Sequence, residues 1–239
     1  MGHVVFAHSS VEAPVCRYLE LDDCSGHGAG QILSDEERAR AAQLRFAIDR
    51  QRFVAAHVAL RYALAEQTGE RAETLRFAHT AFGKPSLSGW TYVRFSLSHS
   101  QGLGLIAIGG RGPLGADVER LRPVPDALSL AARHFTRSEN EALAALPAGD
   151  RDCAFLTCWT RKEACLKAIG LGLIVPTALF EVGLAPDCRG VEVPIAGRTL
   201  WLALRPAPLR MDSVGSLAEW RQTHARAGGA PRPVAEACA

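Results

Sequence analysis

Lysine is scarce in this chain of 239 residues. Of its 27 lysines and arginines only Lys84, Lys162 and Lys167 are lysines, and the last two fall within nine residues, in the segment WTRKEACLK that begins at Trp159. Arginine is a poor substitute for lysine where a compact point charge must meet a phosphate, so a chain that otherwise uses arginine is expected to keep lysine where a site requires it. The scarcity indicates a phosphate-handling site at this segment, with chance composition as the alternative.

Strong net charge and long apolar runs are also missing. The formal net charge is only +2, no segment reaches the ~18 apolar residues of a membrane span, and the first residues lack the basic and apolar regions of a secretory leader. Nucleic acid and membranes are therefore not expected as partners, and we expect a cytoplasmic protein. A hydrophobic content of 48% is enough for one large domain or two small ones.

The cysteines form no recognisable framework. Their number, seven, is odd, and no CxxC or Cys/His cluster occurs. We therefore expect reduced thiols, most of them in the core, and neither a disulfide framework nor a zinc site.

The segment WTRKEACLK reads as part of a buried helix. An apolar stripe at helical spacing consists of Phe155, Cys158, Trp159, Cys165, Leu166 and Ile169, with Gly170 and Gly172 available to end the helix. Lys162 falls in the middle of that stripe, whereas Glu163 and Lys167 lie along its edge. The alternative interpretation is a surface pair between Glu163 and Lys167, with Lys162 reaching from the core to solvent.

A second acidic element precedes it in the sequence. The run GPLGADVER predicts a strand with Asp117 and Glu119 on one face. Like charges on one face repel unless water screens them or a cation lies between them. If Glu163 converges on this pair, three hard oxygen ligands suit Mg²⁺, with Mn²⁺ as a second candidate. Solvent exposure of the pair is the alternative.

These two stretches together resemble the paired signature of the 4'-phosphopantetheinyl transferases of the Sfp type. FGKP, at Phe82 to Pro85, and FSLSHS, at Phe95 to Ser100, resemble two further motifs of that family in the family's order. The resemblance extends from about Ser34 to Val182. It implies an α+β fold, a pseudodimer of two similar α/β-sheet halves with the active site in the cleft between them. We expect halves at 1–110 and 111–224, divided at the linker GGRGP, and a flexible tail at 225–239.

The resemblance also implies an activity. The family transfers the 4'-phosphopantetheine group of coenzyme A to a serine of an apo acyl, peptidyl or aryl carrier protein and releases adenosine 3',5'-bisphosphate. Asp117, Glu119 and Glu163 are then the metal ligands. Glu163 is the candidate base, directly or through a water on the metal, and Lys167 stabilises the leaving phosphate. A non-catalytic coenzyme A-binding module is the alternative, and we expect a monomer.

Residues for binding coenzyme A follow from the same resemblance. They are Arg45, Arg52, Lys84, Pro85, Ser98, His99, Asp117 and Lys167. Arg52 matches the arginine that meets the 3'-phosphate in the family. It lies in a stretch of one or two predicted helices that starts with a capping box at Ser34 and Glu37 and ends near Thr68. The stretch RLRPVPDALSLAARHF is either a carrier-docking region or an ordinary loop and helix.

Two strands are predicted after the helix of the signature, at LFEVGL and at TLWLALRP. Relatives usually add another apolar strand after the Trp-bearing one. This chain continues instead with a polar sequence rich in Gly and Pro, so the presence of that last strand is in doubt.

Overall fold

The computed structural model describes residues 14–22, 29–109, 112–195, 197–207 and 212–220. The helices are α1 (Ala29–Ile32), α2 (Asp35–Gln43), α3 (Ala47–Thr68), α4 (Ala127–His134), α5 (Arg137–Ala145) and α6 (Ala148–Ile169). The strands are β1 (Val15–Glu20), β2 (Phe77–His79), β3 (Pro85–Leu87), β4 (Phe95–Ser100), β5 (Leu103–Ile108), β6 (Leu114–Arg120), β7 (Arg189–Ile195), β8 (Arg198–Pro206) and β9 (Ser213–Trp220). Short 3₁₀ turns cover Ala72–Thr74, Gly172–Ile174 and Thr177–Leu179.

Every strand pair in the described residues is antiparallel. One sheet has the order β1-β5-β4, a small ribbon joins β2 to β3, and a larger sheet has the order β6-β9-β8-β7. Helix α3 packs against the first sheet and α6 against β6 and β9 of the second. The two helices have the same length, 22 residues. The α+β class is thus confirmed, while the internal repeat of a pseudodimer stays a prediction.

A glycine allows α6 to lie directly on β6. A side-chain carbon on Gly115 would come within 2.0 Å of the Ala164 carbonyl oxygen and 2.3 Å of the Ala168 nitrogen, distances that no real side chain tolerates. The glycine of the GADVE motif therefore sets how closely α6 approaches the strand that carries Asp117. This contact brings the two signature motifs together.

Several local predictions are confirmed. Ser34 and Glu37 form a capping box at the start of α2, and two helices, α2 and α3, cover the stretch to Thr68. Helix α6 ends at Gly170, which takes the left-handed conformation with φ of 78°. None of the described helices has the length and apolar character needed to span a bilayer.

The strand predicted at LFEVGL is wrong. Residues 180–184 are irregular, because the backbone N–H groups of Val182 and Gly183 donate to the Glu139 carboxylate, at 2.7 and 3.0 Å, instead of to a neighbouring strand. The next strand, β7, begins only at Arg189.

The last strand, which was in doubt, is present. Strand β9 lies between β6 and β8 and pairs with both of them. Leu217 and Ala218 are fully buried there. Because the strand is bonded on both edges, few apolar side chains are enough to hold it in the sheet.

The remaining organisational predictions are met in part. The predicted boundary at 110–111 and the predicted tail at 225–239 lie outside the described residues. Free thiols are found at Cys16, Cys153, Cys158 and Cys165, as expected. Cys188 is disulfide-bonded, so the expectation of reduced thiols is wrong for this residue.

Candidate active site

A cleft of about 910 Å³ opens between the N-terminal helices, the β2–β3 turn, β4 and the last turns of α6. The predicted site residues that line it are Arg52, Lys84, Pro85, His99, Glu163 and Lys167. Ser98, Asp117 and Glu119 lie behind this wall, in hydrogen-bonding reach of residues on it or beside it. The cleft therefore collects most of the predicted side chains from four separate stretches of sequence.

Strand β6 supplies the two carboxylates from one face, as its alternation predicts. The Ser98 hydroxyl on β4 donates to Asp117 Oδ1 at 2.7 Å, and the Ser100 hydroxyl donates to Glu119 Oε2 at 2.5 Å. Asp117 is buried and Glu119 is partly buried. Two serines spaced like the two carboxylates thus hold both acids in place.

Lys167 joins this network from α6. Its Nζ donates to Asp117 Oδ1 at 2.6 Å and to Ser98 Oγ at 2.9 Å. The alternative of a surface pair between Lys167 and Glu163 is therefore wrong, since the partner of Lys167 is Asp117 across the helix–strand contact. The amine holds a point charge at the cleft wall beside a buried carboxylate.

Glu163 lies one turn before Lys167 and faces the same cleft. Burial raises the pKa of Glu163 above its ordinary value, Asp117 and Glu119 raise it further, and Lys167 opposes them. The three predicted metal ligands are therefore close enough to repel one another. Exposure of the acidic pair to solvent, the alternative interpretation, does not describe this arrangement.

The donor set of these three residues fits a hard divalent cation. It consists of carboxylate oxygens, and a positive ion among them would relieve the repulsion seen at Glu163. In the part of the chain that the structure describes, no group of three or more His, Cys, Asp or Glu side chains is arranged so that it could hold a metal ion as it stands. Asp117 is engaged by Lys167, so complete coordination requires side-chain adjustment at this point.

Lys162 points away from the cleft. Its Nζ is paired with Glu139 at 2.8 Å and donates to the carbonyl oxygens of Thr177 and Phe180 at 2.8 and 2.7 Å. Both charged side chains are 1% exposed. The interpretation that Lys162 reaches out to solvent is wrong. The residue instead fixes α6 to α5 and to the segment that follows α6.

Lys84 connects segments that are distant in the sequence. Its Nζ donates to the carbonyl oxygens of Ala168 and Leu114, at 2.7 and 3.1 Å, while its stem lines the cleft. Burial and then the charge of Arg94 lower the pKa of Lys84 to about 8. In this arrangement the amine ties the FGKP turn to the end of α6 and the start of β6.

The two arginines predicted to bind coenzyme A, Arg45 and Arg52, lie in different places. Arg52 lines the cleft and pairs with Asp22. Arg45 is exposed between α2 and α3, lies over the ring of Phe46 at 5.2 Å, and is not part of the cleft wall. The structure thus brings Arg52 to the site and leaves Arg45 away from it.

Two histidines face the same part of the cleft. Partial burial lowers the pKa of His99, and Lys167 and Arg40 lower it further. His57 was not identified from the sequence; burial lowers its pKa as well, and its Nδ1 lies 2.9 Å from the Phe53 carbonyl oxygen, which it reaches as a donor. An anion in the cleft would favour protonation of either imidazole.

Sequence reasoning missed further residues at or beside the cleft. Arg40, His57 and Ser96 line it. Asp22 and Ser100 do not line it but bind predicted site residues, Arg52 and Glu119 respectively. The spacing of Ser96, Ser98 and Ser100 at every second position of a strand could have indicated a row of hydroxyls on one face. Nothing in the sequence alone pairs Asp22 with Arg52, which lies 30 positions away.

Comparisons with known proteins agree on one family. The family described as the 4'-phosphopantetheinyl transferase superfamily matches residues 113–201. The chain is similar to the 4'-phosphopantetheinyl transferase HetI of Nostoc sp. (strain PCC 7120), with 39% identity over 157 residues, which is 64% of this chain and 66% of the relative. It is also similar to a putative 4'-phosphopantetheinyl transferase of Synechocystis sp. (strain PCC 6803), with 37% identity over 152 residues, or 61% of this chain and 60% of the relative.

A relative with lower sequence identity is aligned over a larger share of both chains. The 4'-phosphopantetheinyl transferase Sfp of Bacillus subtilis (strain 168) is 28% identical over 164 residues, which is 68% of this chain and 72% of the relative. The chain thus spans somewhat less than two thirds of the length of the two cyanobacterial relatives. The matched residues include β6 and α6, which carry the acidic and lysine side chains of the cleft.

Proposed function

We propose that the protein transfers the 4'-phosphopantetheine group of coenzyme A to a serine of an apo carrier protein, because its residues 113–201 match the 4'-phosphopantetheinyl transferase superfamily. The other product is adenosine 3',5'-bisphosphate. The bond broken is the pyrophosphate P–O bond on the adenosine side of the transferred phosphorus. The bond formed joins the serine oxygen to that phosphorus, and the serine proton goes to a base. A cytoplasmic location, where coenzyme A is available, is part of the same proposal.

One observation carries this proposal. Ser98, Asp117 and Lys167 are joined by hydrogen bonds at the wall of the cleft, Ser100 holds Glu119 beside them, and Glu163 faces the same cleft one helical turn before Lys167. Phosphoryl transfer needs little covalent chemistry from the protein and depends on positioning and charge stabilisation. A cleft wall with fixed hydroxyls, a point-charge amine and carboxylates beside it supplies both.

The proposed divalent ion has a defined set of ligands. Asp117, Glu119 and Glu163 would hold Mg²⁺, and when bound this ion would neutralise charge on the pyrophosphate oxygens. We propose Mg²⁺ over zinc because the ligands are oxygens without His or Cys. Mn²⁺, with the same preference for oxygen, is the second candidate.

The chain's own side chains then have separate roles. Lys167 is proposed to stabilise the negative charge that develops on the leaving phosphate, since its amine is fixed at the cleft wall by Asp117 and Ser98. Glu163 is proposed to accept the serine proton, directly or through a water on the metal, because its carboxylate faces the cleft. Arg52 is proposed to meet the 3'-phosphate, and His99 to donate a hydrogen bond to a phosphate oxygen.

A transfer assay tests the proposal. The protein is mixed with coenzyme A, Mg²⁺ and an apo carrier protein, and the carrier is analysed by mass spectrometry. The proposed enzyme adds the mass of one phosphopantetheine group to a single serine. Binding of coenzyme A without any modified carrier, over several apo acyl and peptidyl carriers, would indicate a non-catalytic binding module instead.

Removal of divalent ions is expected to abolish transfer. The three carboxylates would otherwise repel one another and the pyrophosphate, and binding of a cation relieves both effects. The measurement is the transfer rate in excess EDTA, with metal content determined independently, followed by titration with Mg²⁺ or Mn²⁺. Full turnover in verified absence of metal contradicts the assignment of these three ligands.

Replacing Arg52 with alanine is expected to weaken coenzyme A selectively. Loss of a charge-assisted hydrogen bond to a phosphate corresponds to about a ten- to hundredfold increase in the dissociation constant. Binding of 3'-dephospho-coenzyme A, which lacks that phosphate, should change little. Calorimetry with both ligands gives the two values, and an equal loss for both removes Arg52 from this role.

A further inference from the structure

The guanidinium of Arg52 is bound by the carboxylate of Asp22, which precedes it by 30 positions in the sequence. Its Nε donates to Asp22 Oδ1 at 2.6 Å, and its Nη2 donates to Asp22 Oδ2 at 2.9 Å. This is the two-bond geometry in which an arginine fork meets a carboxylate. Arg52 lines the cleft, whereas Asp22 does not. The carboxylate therefore engages the Nε side of the guanidinium and leaves Nη1 and one hydrogen of Nη2 without a bond to it.

The position of Asp22 is fixed by its own surroundings. The Asp22 carbonyl oxygen accepts from Gln51 Nε2 at 3.3 Å, and the preceding Leu21 N–H donates to the Gly102 carbonyl oxygen at 2.7 Å. A side-chain carbon at Gly102 would lie 2.3 Å from Asp22 Oδ2. The turn between β4 and β5 thus leaves a space that the carboxylate fills.

The N–H groups of Arg52 that Asp22 does not bind are available to a ligand. Among the described residues, Arg52 Nη1 makes no hydrogen bond, and the pair with Asp22 uses one hydrogen of Nη2. A planar fork with one edge bound keeps its plane fixed, so its remaining N–H groups keep their direction. The hydrogen bond from Arg52 also holds the pKa of Asp22 below its ordinary value, so the pair favours the charged form of the carboxylate.

We propose that Asp22 is a positioning residue that orients Arg52 toward the 3'-phosphate of coenzyme A and thereby sets the preference for the 3'-phosphorylated substrate. The inference rests on the proposed function and on the role of Arg52 within it. An arginine that is already ordered loses less side-chain freedom when it binds a phosphate. Asp22 also repels the phosphate, but its side chain is 48% exposed and water screens that repulsion. Orientation is therefore the larger effect.

The test compares two ligands in one variant. In Asp22→Asn the amide cannot bind both Nε and Nη2, so Arg52 loses its fixed plane. We expect the dissociation constant for coenzyme A to rise about fivefold, the constant for 3'-dephospho-coenzyme A to stay unchanged, and kcat to stay near the wild-type value. Asp22→Glu, which keeps the charge and both oxygens, should recover part of the preference.

A second variant reaches the same contact without changing any charged residue. In Gly102→Ala the added carbon displaces the flexible Asp22 carboxylate, so the same selective weakening of coenzyme A is expected. The matched control is Glu66→Gln, which breaks the pair between Arg17 on β1 and Glu66 on α3. This pair also joins β1 to α3, but neither residue lines the cleft, so no ligand preference should change. Thermal unfolding of each variant verifies folding.

The outcomes separate the inference from the function on which it rests. If wild type binds or transfers from coenzyme A and Arg52→Ala loses the preference for the 3'-phosphate, the proposed function stands. An unchanged preference in Asp22→Asn, or tighter binding of coenzyme A, then overturns the positioning role alone. If Arg52→Ala itself has no effect on the preference, the assignment of Arg52 fails first.

Discussion

Replacement of Lys167 with arginine is expected to slow carrier modification by about 100-fold, although the charge is kept. The Lys167 amine meets Asp117 Oδ1 at 2.6 Å and Ser98 Oγ at 2.9 Å, and a planar guanidinium cannot put a point charge at the same position. Misplacing a charge by about 1 Å in a preorganised site costs on the order of 100-fold in rate. The measurement is kcat at saturating coenzyme A, Mg²⁺ and carrier.

Two comparisons isolate the effect of position. Arg137→Lys changes an exposed basic residue on α5 and should leave kcat unchanged. Lys84→Arg acts on a lysine whose amine ties the FGKP turn to Ala168 and Leu114, so it should chiefly raise the KM for coenzyme A. Wild-type kinetics for both Lys167→Arg and Lys84→Arg, across titrations of Mg²⁺ and coenzyme A, would mean that the scarcity of lysine reflects composition only.

Replacement of Lys162 with methionine is expected to destabilise the fold by about 3 to 5 kcal/mol, because it leaves the Glu139 carboxylate buried without its charge partner. Chemical denaturation at neutral pH gives the free energy of unfolding. The control is Glu141→Gln on α5, the helix that carries Glu139. It breaks an exposed pair with Arg137 and should change the free energy of unfolding by less than about 0.5 kcal/mol. The double variant Lys162→Met with Glu139→Gln should recover part of the loss, since the buried charge is gone.

The pH dependence of this loss has a definite sign. Burial alone would raise the pKa of Glu139, but the charge of Lys162 and hydrogen bonds from Lys162, Val182 and Thr136 hold it below its ordinary value of 4.5. The lowered pKa contributes stability that is present above pH 4.5 and is lost as the pH falls through the lowered value. Without Lys162, burial dominates and Glu139 takes up a proton more readily. The deficit of Lys162→Met should therefore shrink on acidification, and a deficit that is constant from pH 7 to pH 4 contradicts a charged pair.

The sequence allowed the helix of the lysine motif and the strand of the acidic motif to be predicted. Helical spacing placed Glu163 and Lys167 at one edge, and alternation placed Asp117 and Glu119 on one face. The link between the two elements came from the resemblance, and its physical basis became visible only in the close approach of α6 to β6 at Gly115. Contacts between distant segments depend on packing that local patterns do not specify.

The partner of Lys162 and the structure of the LFEVGL segment could not be predicted from the sequence, and for the same reason. Both depend on Glu139, a helix residue whose carboxylate receives Lys162 and the backbone N–H groups of Val182 and Gly183. Glu139 also forms a capping box with Thr136 at the start of α5. The Glu139 carboxylate also binds the backbone of a loop more than 40 residues away. No periodic pattern in the sequence indicates such a contact, so the loop was predicted as a strand.

Arg61 shows the same limit among the arginines of α3. Its helical position suggested a polar face, but the side chain is 1% exposed and its guanidinium donates to Glu37 and to the carbonyl oxygens of Ala72 and Leu75. A buried arginine and an arginine that lines a cleft look alike in a helical wheel. Only the three-dimensional structure separates Arg61, which is buried, from Arg52, which is partly exposed where it lines the cleft.

The stoichiometry of transfer tests the central claim most directly. The purified protein is incubated with coenzyme A, Mg²⁺ and an apo carrier protein, and modified carrier and free adenosine 3',5'-bisphosphate are quantified in the same samples over time. We expect one bisphosphate released for each carrier that gains a phosphopantetheine group, and neither product with a carrier whose acceptor serine is replaced by alanine or with the Asp117→Asn variant. Bisphosphate release that does not depend on the carrier, or bound coenzyme A with an unmodified carrier, would contradict the assignment of this cleft as a phosphopantetheinyl transferase site.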